Sequence, residues 1–368
     1  MILSDLIDIM NSIAPPILSE SWDNCGLQIG DENKDIKKIL LALNAVDNVV
    51  DEAIKNNVDL IITHHPFIFK GIKSISSNTY RGNIIYKLIK NNVALFAAHT
   101  NLDIANEGVN DVLAKLLDLE NTQVLKVTRR EKSYKIVVFV PESHGEMVRD
   151  AISNKGAGWI GNYSHCTYNI NGFGTFMPRE NTNPYIGKEG VVEKVNEVRI
   201  ETIVPHNRLN NVLNAMIKSH PYEEVAYDIY PLENKGQEWG LGRIGEMKTK
   251  VSLWDFANNI KNILGSKGLK FYGNISKDIK KVAVCGGSGA DFISDAHNKG
   301  ADVYITSDIK YHDAQNAMER NLALIDAGHY YTEKTVLPEL KSRLEKIIDE
   351  DINIIISDKD DCSPYNIL

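Results

Sequence analysis

A strand-helix-strand-helix-strand pattern occurs twice in this chain of 368 residues, and carrying it twice confines the fold to the α/β class. Lys37 to Asn92 reads strand (KKILLALNA), helix (DNVVDEAIKNN), strand (VDLIITHH) and helix (RGNIIYKLIKNN), followed by the strand VALFAAHTNLD. Lys280 to Asn321 repeats it as KKVAVCGGSG, DFISDAHNKG, ADVYITSD and YHDAQNAMERN, followed by LALIDAGHYYTE. The stretches align without a gap from Lys37 and Lys280 to Thr63 and Thr306, which sets Asp59 on Asp302 and Ala53 on Ala296. One residue inserted after the third strand then sets His99 against His329 and Asp103 against Glu333. Open α/β sheets bind ligands outside the carboxyl ends of their strands. The expected architecture is therefore two related α/β lobes forming one metal-binding cleft.

Between the lobes the texture changes. YKIVVFVP, a helical stretch from His144 to Ala157, YSHCTYNINGFGTFMP, EVRIETIVP, the helix HNRLNNVLNAMIKSH and EVAYDIYPL follow in order β-α-β-β-α-β. That order is the ferredoxin-like split motif of an α+β domain. The Gly-rich, polar stretch ENKGQEWGLGRIG is a connection of the type that separates domains. The expected division is an N-terminal α/β lobe over 1–125, an inserted domain over 126–235 and a C-terminal α/β lobe over 236–368. Edge pairing or subunit assembly is the role expected of the insert, with small-molecule sensing as the alternative.

His64 and His65 fall where an apolar strand gives way to Pro66, so neutral imidazoles reach beyond the sheet edge. Successive strand side chains leave on opposite faces, so adjacent histidines suit two ions better than one. Asp103 and Glu333 each follow a histidine by four residues. Two cations about 3.5–4 Å apart repel unless anionic oxygen lies between them, which a carboxylate supplies and an imidazole does not. Glu333 is expected in the first turn of the helix TEKTVLPELKSRLEKI with Thr332 as its cap, and Pro338 a turn further on. Nitrogen and oxygen donors without thiolate point to zinc, manganese or iron. His99, His312, Asp308 and Asp326 sit near the same strand ends as candidate partners that orient the imidazoles or merely solvate loops. GGSGAD reads either as an anion-holding amide cluster or as a tight βα turn. Trp22, in SWDNCGLQIGD, is expected in the core.

The net charge of −8 argues against a sequence-independent nucleic-acid binder. Four scattered cysteines, Cys25, Cys166, Cys285 and Cys362, form no C-x-x-C pair, which suggests a reducing cytoplasm. No apolar run approaches the ~20 residues that span a bilayer.

At WDNCGLQIG, THHPFIFKGIKSI, AAHTNLDIANEGVND, HPYEEVAYDIY, GLGRIGE, GGSGADF and ITSDIKYHDAQNAMERNLALIDAGHYYTE the sequence resembles the Nif-three-like family, whose members are often labelled GTP cyclohydrolase 1 type 2 homologues. The resemblance implies two divalent cations per chain held by His64, His65, Asp103, His329 and Glu333. It further implies a six-subunit ring (a trimer of dimers), an insert similar to CutA and PII-type proteins, and a nucleotide such as GTP as substrate of a metal-dependent hydrolase. The alternative is a non-catalytic regulatory or metal-handling ring protein. Asn44 stands where the family usually has Asp, and Ser307 where it has Gly.

Overall fold

The computed structural model describes residues 1–234 and 236–360 of a mixed α/β chain with three sheets, so Cys362 lies outside the described residues. The chain separates into two compact units, Met1–Arg129 together with the stretch from Trp239 onward, and Arg130–Glu238.

The larger unit holds two sheets. One runs in the order Gly26–Ile29, Ala94–Ala97, Leu60–Thr63, Lys38–Ala42, Asn353–Ile356, and its neighbours are parallel except for the antiparallel Gly26–Ile29. The other runs Lys270–Tyr272, Ala323–Asp326, Val303–Ser307, Asp278–Ser288, Glu238–Ser252, Glu120–Arg130, with its three middle strands parallel. The register repeats with the sequence: Ile39 opposes Leu60 in the first sheet, and Val282 opposes Val303 in the second. Edge strands cross between the lobes, because Glu120–Arg130 joins the second sheet and the late strand Asn353–Ile356 joins the first.

Period-two alternation divides each parallel strand between two cores. Ile39, Leu41, Leu60 and Ile62 share one cluster with Val282, Val284, Val303 and Ile305 of the other sheet, around helices Leu3–Ile13, Val109–Leu116, Leu253–Leu264 and Val336–Ile347. Leu40, Ala42, Ile61 and Leu95 face helices Asp47–Lys55 and Tyr80–Lys90 on the outside. Ala283, Cys285, Tyr304 and Leu324 do the same against Ile293–Asn298 and Tyr311–Glu319. Each buried Leu or Ile adds about 1.5–3 kcal/mol. The shared helical layer holds the two sheets' strand ends in fixed relation.

The aligned aspartates do identical work. Asp59 Oδ2 accepts the amides of Lys37 and Lys38 at 2.9 and 3.0 Å, and Asp302 Oδ2 those of Lys280 and Lys281 at 2.9 and 2.8 Å. Each thereby stitches the turn before one strand to the start of the strand beside it.

The smaller unit is an antiparallel sheet in the order Tyr168–Phe176, Glu193–Pro205, Ser133–Pro141, Tyr227–Leu232. Ile136, Val138, Val140 and Ile200 pack against Val148 and Ile152 of helix Gly145–Ser153 and Val212 and Met216 of helix Leu209–Ser219. The first helix stops at Ser153, short of the expected Ala157, because Gly156 and Gly158 adopt φ of +101° and +73°.

Candidate metal centre

Strand Leu60–Thr63 ends one residue before His64, and the backbone continues along the sheet edge, where the His64 and His65 amides donate to Ala42 O and Leu43 O. Helix Thr100–Ile104 starts at the end of the next strand and carries Asp103 beside His99. From the second lobe, Ala323–Asp326 gives way to a short helix, His329–Glu333, which is separate from helix Val336–Ile347. The expected cap is therefore corrected. Thr332 lies inside the short helix, donates to His329 O at 2.8 Å and accepts the Gly287 amide at 3.1 Å, so Glu333 closes one helix instead of opening the next. Pro338 falls in the first turn of the following helix, where no amide partner is lost.

Four histidines meet there in one orientation. Their Nδ1 atoms donate outward: His64 to Ala98 O, His65 to Asn44 Oδ1 and His99 to Asp23 Oδ1 at 2.9 Å each, and His329 to Asp308 Oδ2 at 2.7 Å. With Nδ1 protonated and anchored, Nε2 is the nitrogen left to face the interior, which is the orientation of a metal-ligating imidazole. His65 Nε2 lies 3.0 Å from Glu333 Oε2, His329 Nε2 3.1 Å from Glu333 Oε1, and His64 Nε2 3.6 Å from Asp103 Oδ1 and 3.7 Å from Glu333 Oε1. Donor atoms of His64, His65 and His99 fall within 4.8 Å of one another, as do those of His65, His329 and Glu333. His65 belongs to both groups, so two adjoining positions share it.

The donors are short of partners. His64 Nε2 and Asp103 Oδ1 are buried and make no hydrogen bond. Atoms left so lose stability unless something satisfies them. Burial opposes charge on His64, yet Asp103 and Glu333 hold its pKa up to about 9; the same balance, with Glu333 and Asp308, holds His329 at about 9. Burial and then Glu333 push Asp103 up to about 6 against the pull of His64. Burial also opposes charge on Glu333, but the imidazoles of His64, His329 and His65 keep it well below the usual carboxylate range. A cation fits such a cluster by taking the place of these shared protons. Gly287, at φ +65°, leaves the space: a Cβ there would stand 2.2 Å from Glu333 Oε1 and 3.3 Å from His329 Nε2.

A family model described as Duf34/NIF3 (NGG1p interacting factor 3) matches residues 1–362 of the chain. The chain belongs to the Duf34/NIF3 family. A Bacillus subtilis (strain 168) relative named GTP cyclohydrolase 1 type 2 homolog is 44% identical over 366 residues, 99% of this chain and 98% of the relative. A Halalkalibacterium halodurans protein of the same name is 46% identical over 343 residues, 93% of this chain and 92% of its own. The crystal structure of a Bacillus cereus protein related to NIF3 superposes with a TM-score of 0.90 at 43% identity, covering 100% of this chain and 99% of that one.

Several members of this NIF3-family site had faint or absent sequence signals. His99 was aligned with His329 by the repeat, and it stands among the donors as well as beside Asp23. Asp23 also accepts the Thr100 amide at 3.0 Å, and no spacing linked it to the site. Asp360 accepts the Leu43 and Asn44 amides and lies 3.4 Å from Asn44 Nδ2, so it braces the residue that orients His65. Trp22 is 57% exposed, not in the core, with its ring 6.2 Å from that of His99. Of the other candidates, Asp308 orients His329, Asp326 receives the amides of Ile309 and Gly328 at 3.4 and 3.2 Å, and His312 makes a ring contact with Tyr311. The glycine turn is no anion cradle. Its amides are taken by side chains, Gly286 N by Asn110 Oδ1, Gly287 N by Thr332 Oγ1 and Gly289 N by Thr306 Oγ1.

Proposed function

We propose that this protein binds two divalent cations between its α/β lobes and uses them as a hydrolase on a nucleotide. The observation that carries this reading is the set of four imidazoles with anchored Nδ1 atoms converging on two buried carboxylates. In it His64, His65, Asp103, His329 and Glu333 would hold the cations, His99 adds a sixth donor, and Glu333 lies within 3.7 Å of the Nε2 atoms of His64, His65 and His329. Zinc, iron and manganese all suit these donors. A bound pair supplies Lewis acidity and brings the pKa of a coordinated water towards ~7. The chain's own part is to fix the donors, to set imidazole tautomers through Asn44, Asp23, Asp308 and Ala98 O, and to keep Gly287 small at the rim. The relatives' names point towards GTP as the substrate class.

The same reading takes the insert as ferredoxin-like, from its antiparallel order with the first-made strand third from one edge, and takes the protein as a cytoplasmic homohexamer. Among the described residues no helix is long and apolar enough to cross a membrane. The test is to purify the protein without a histidine tag, measure metal per chain, and incubate the loaded protein with a nucleotide panel while following formate and phosphate. Two cations per chain are expected, falling in Glu333→Gln and by about one in His99→Ala, with turnover lost in His64→Ala. A parent protein that takes up no metal, or turnover indifferent to His64→Ala, overturns the proposal; light scattering checks the hexamer.

A further inference from the structure

The smaller unit has a cavity of about 640 Å³ on the sheet face away from its two helices, within the range of small-molecule sites. Alternation fixes which side chains reach it. Val138, Val140 and Ile200 point into the helical core, so Phe139, Glu197 and Arg199 point the other way, Phe139 directly across from Arg199 in register. Phe176, Tyr185 and Tyr222 complete an aromatic wall, with Tyr222 ring centroids 5.7 Å from Phe176 and 6.3 Å from Tyr185.

Two polar groups in this cavity are incompletely matched. Glu197 is 9% exposed, and among the described residues it has no cation at ion-pair distance; its one hydrogen bond is from the Tyr222 hydroxyl to Oε1 at 3.1 Å. Burial, then the Glu197 charge, keeps Tyr222 well above its ordinary range, so the phenol stays a donor. Arg199 pairs through Nη2 with Glu201 at 2.9 Å, but its Nε is buried without an acceptor. A carboxylate that accepts a single side-chain hydrogen bond and a buried N–H lacking an acceptor, two residues apart on one strand face, ask for one ligand that carries both partners. The formal charges decide against an ion. Arg179 and Arg199 line the same space as Glu197, Glu223 and Glu224, so neither a free cation nor a free anion is favoured throughout it. Glu223 is already occupied, since both its oxygens accept the Asn183 amide, at 3.0 and 3.2 Å. The backbone makes room for the carboxylate: a Cβ on Gly174 would stand 2.2 Å from Glu197 Oε2.

We propose that the inserted unit has its own binding site for a flat, uncharged nitrogen heterocycle whose edge carries N–H donors beside a carbonyl oxygen, the edge that 2-amino-oxo purines and pteridines present. The ring lies against the aromatic wall, its N–H edge meets Glu197, and its carbonyl accepts from Arg199 Nε. Aromatic stacking of this kind is sequence-tolerant but strong enough to retain a base. The site shares no residue with the metal centre, since all its residues belong to Arg130–Glu238.

The experiment is calorimetric titration of the full chain with guanosine, pterin, inosine and adenosine. Guanosine and pterin should bind, and inosine, which lacks the 2-amino group, should bind on the order of tenfold more weakly. Glu197→Gln keeps the shape and should weaken guanosine by a similar factor. Gly172→Leu should abolish binding, because a Cβ there meets nothing within 4 Å and the larger side chain enters the cavity without strain on the fold. The proposal is overturned if neither guanosine nor pterin binds, or if their binding survives both insert variants while these retain the parent circular dichroism spectrum.

Discussion

At the scale of single residues the centre depends on a side chain that is not there. Gly287 combines a left-handed φ of +65° with a Cβ position that would collide with Glu333 Oε1. Gly287→Ala is therefore expected to lose about 1–2 kcal/mol from the backbone alone, and to lose cations as Glu333 is displaced. Urea unfolding and metal analysis of the purified variant check both, and full occupancy at parent stability would count against the close approach. The residues of the cluster were readable because imidazole and carboxylate recur at equivalent strand ends, a chemical signal that survives without geometry. Asp23 and Asp360 were not readable. Each reaches the site from a distant segment, and an acid that orients a neighbour looks like any solvated acid until the chain is folded.

At the scale of elements the repeat is written in hydrogen bonds as well as in hydrophobic spacing. Asp59 and Asp302 each hold two strand amides in the same way. Replacing either by Ala should destabilise the protein by about 1–3 kcal/mol, with similar losses for the two, and denaturant midpoints of the single variants test that equality. Alternating strands and helices were legible because period two and period 3.6 leave different marks. The break between His329–Glu333 and Val336–Ile347 left only Pro338, a residue suited to a helix's first turn, as its mark, and the bond from Gly287 to Thr332 shows where the first helix belongs. The crossing of edge strands was equally hidden, since a short apolar strand such as NIII does not name its neighbour.

At the scale of the molecule the His-carboxylate cluster couples stability to pH and, on the proposed reading, to metal. In the metal-free protein, folded pKa values of about 9 for His64 and His329 lie above the ordinary 6.5. Their contribution is complete below about 6.5 and is lost as pH rises through about 9. Cations replace those protons, so the metal-free protein should lose more stability between pH 6.5 and 9 than the loaded protein does. Chelator should also lower the melting temperature at pH 7, and parallel melting curves across that interval measure both effects. The crossed strands have a consequence for biosynthesis. A ribosome releases His64, His65, His99 and Asp103 early, on a sheet whose outer edge is still bare. Their counterparts His329 and Glu333, the covering strand Asn353–Ile356 and the brace Asp360 emerge only near the close of translation. On the proposed two-cation reading, one three-donor group, His64, His65 and His99, is complete once the first lobe is made, and the other waits for His329 and Glu333 at nearly the end of the polypeptide.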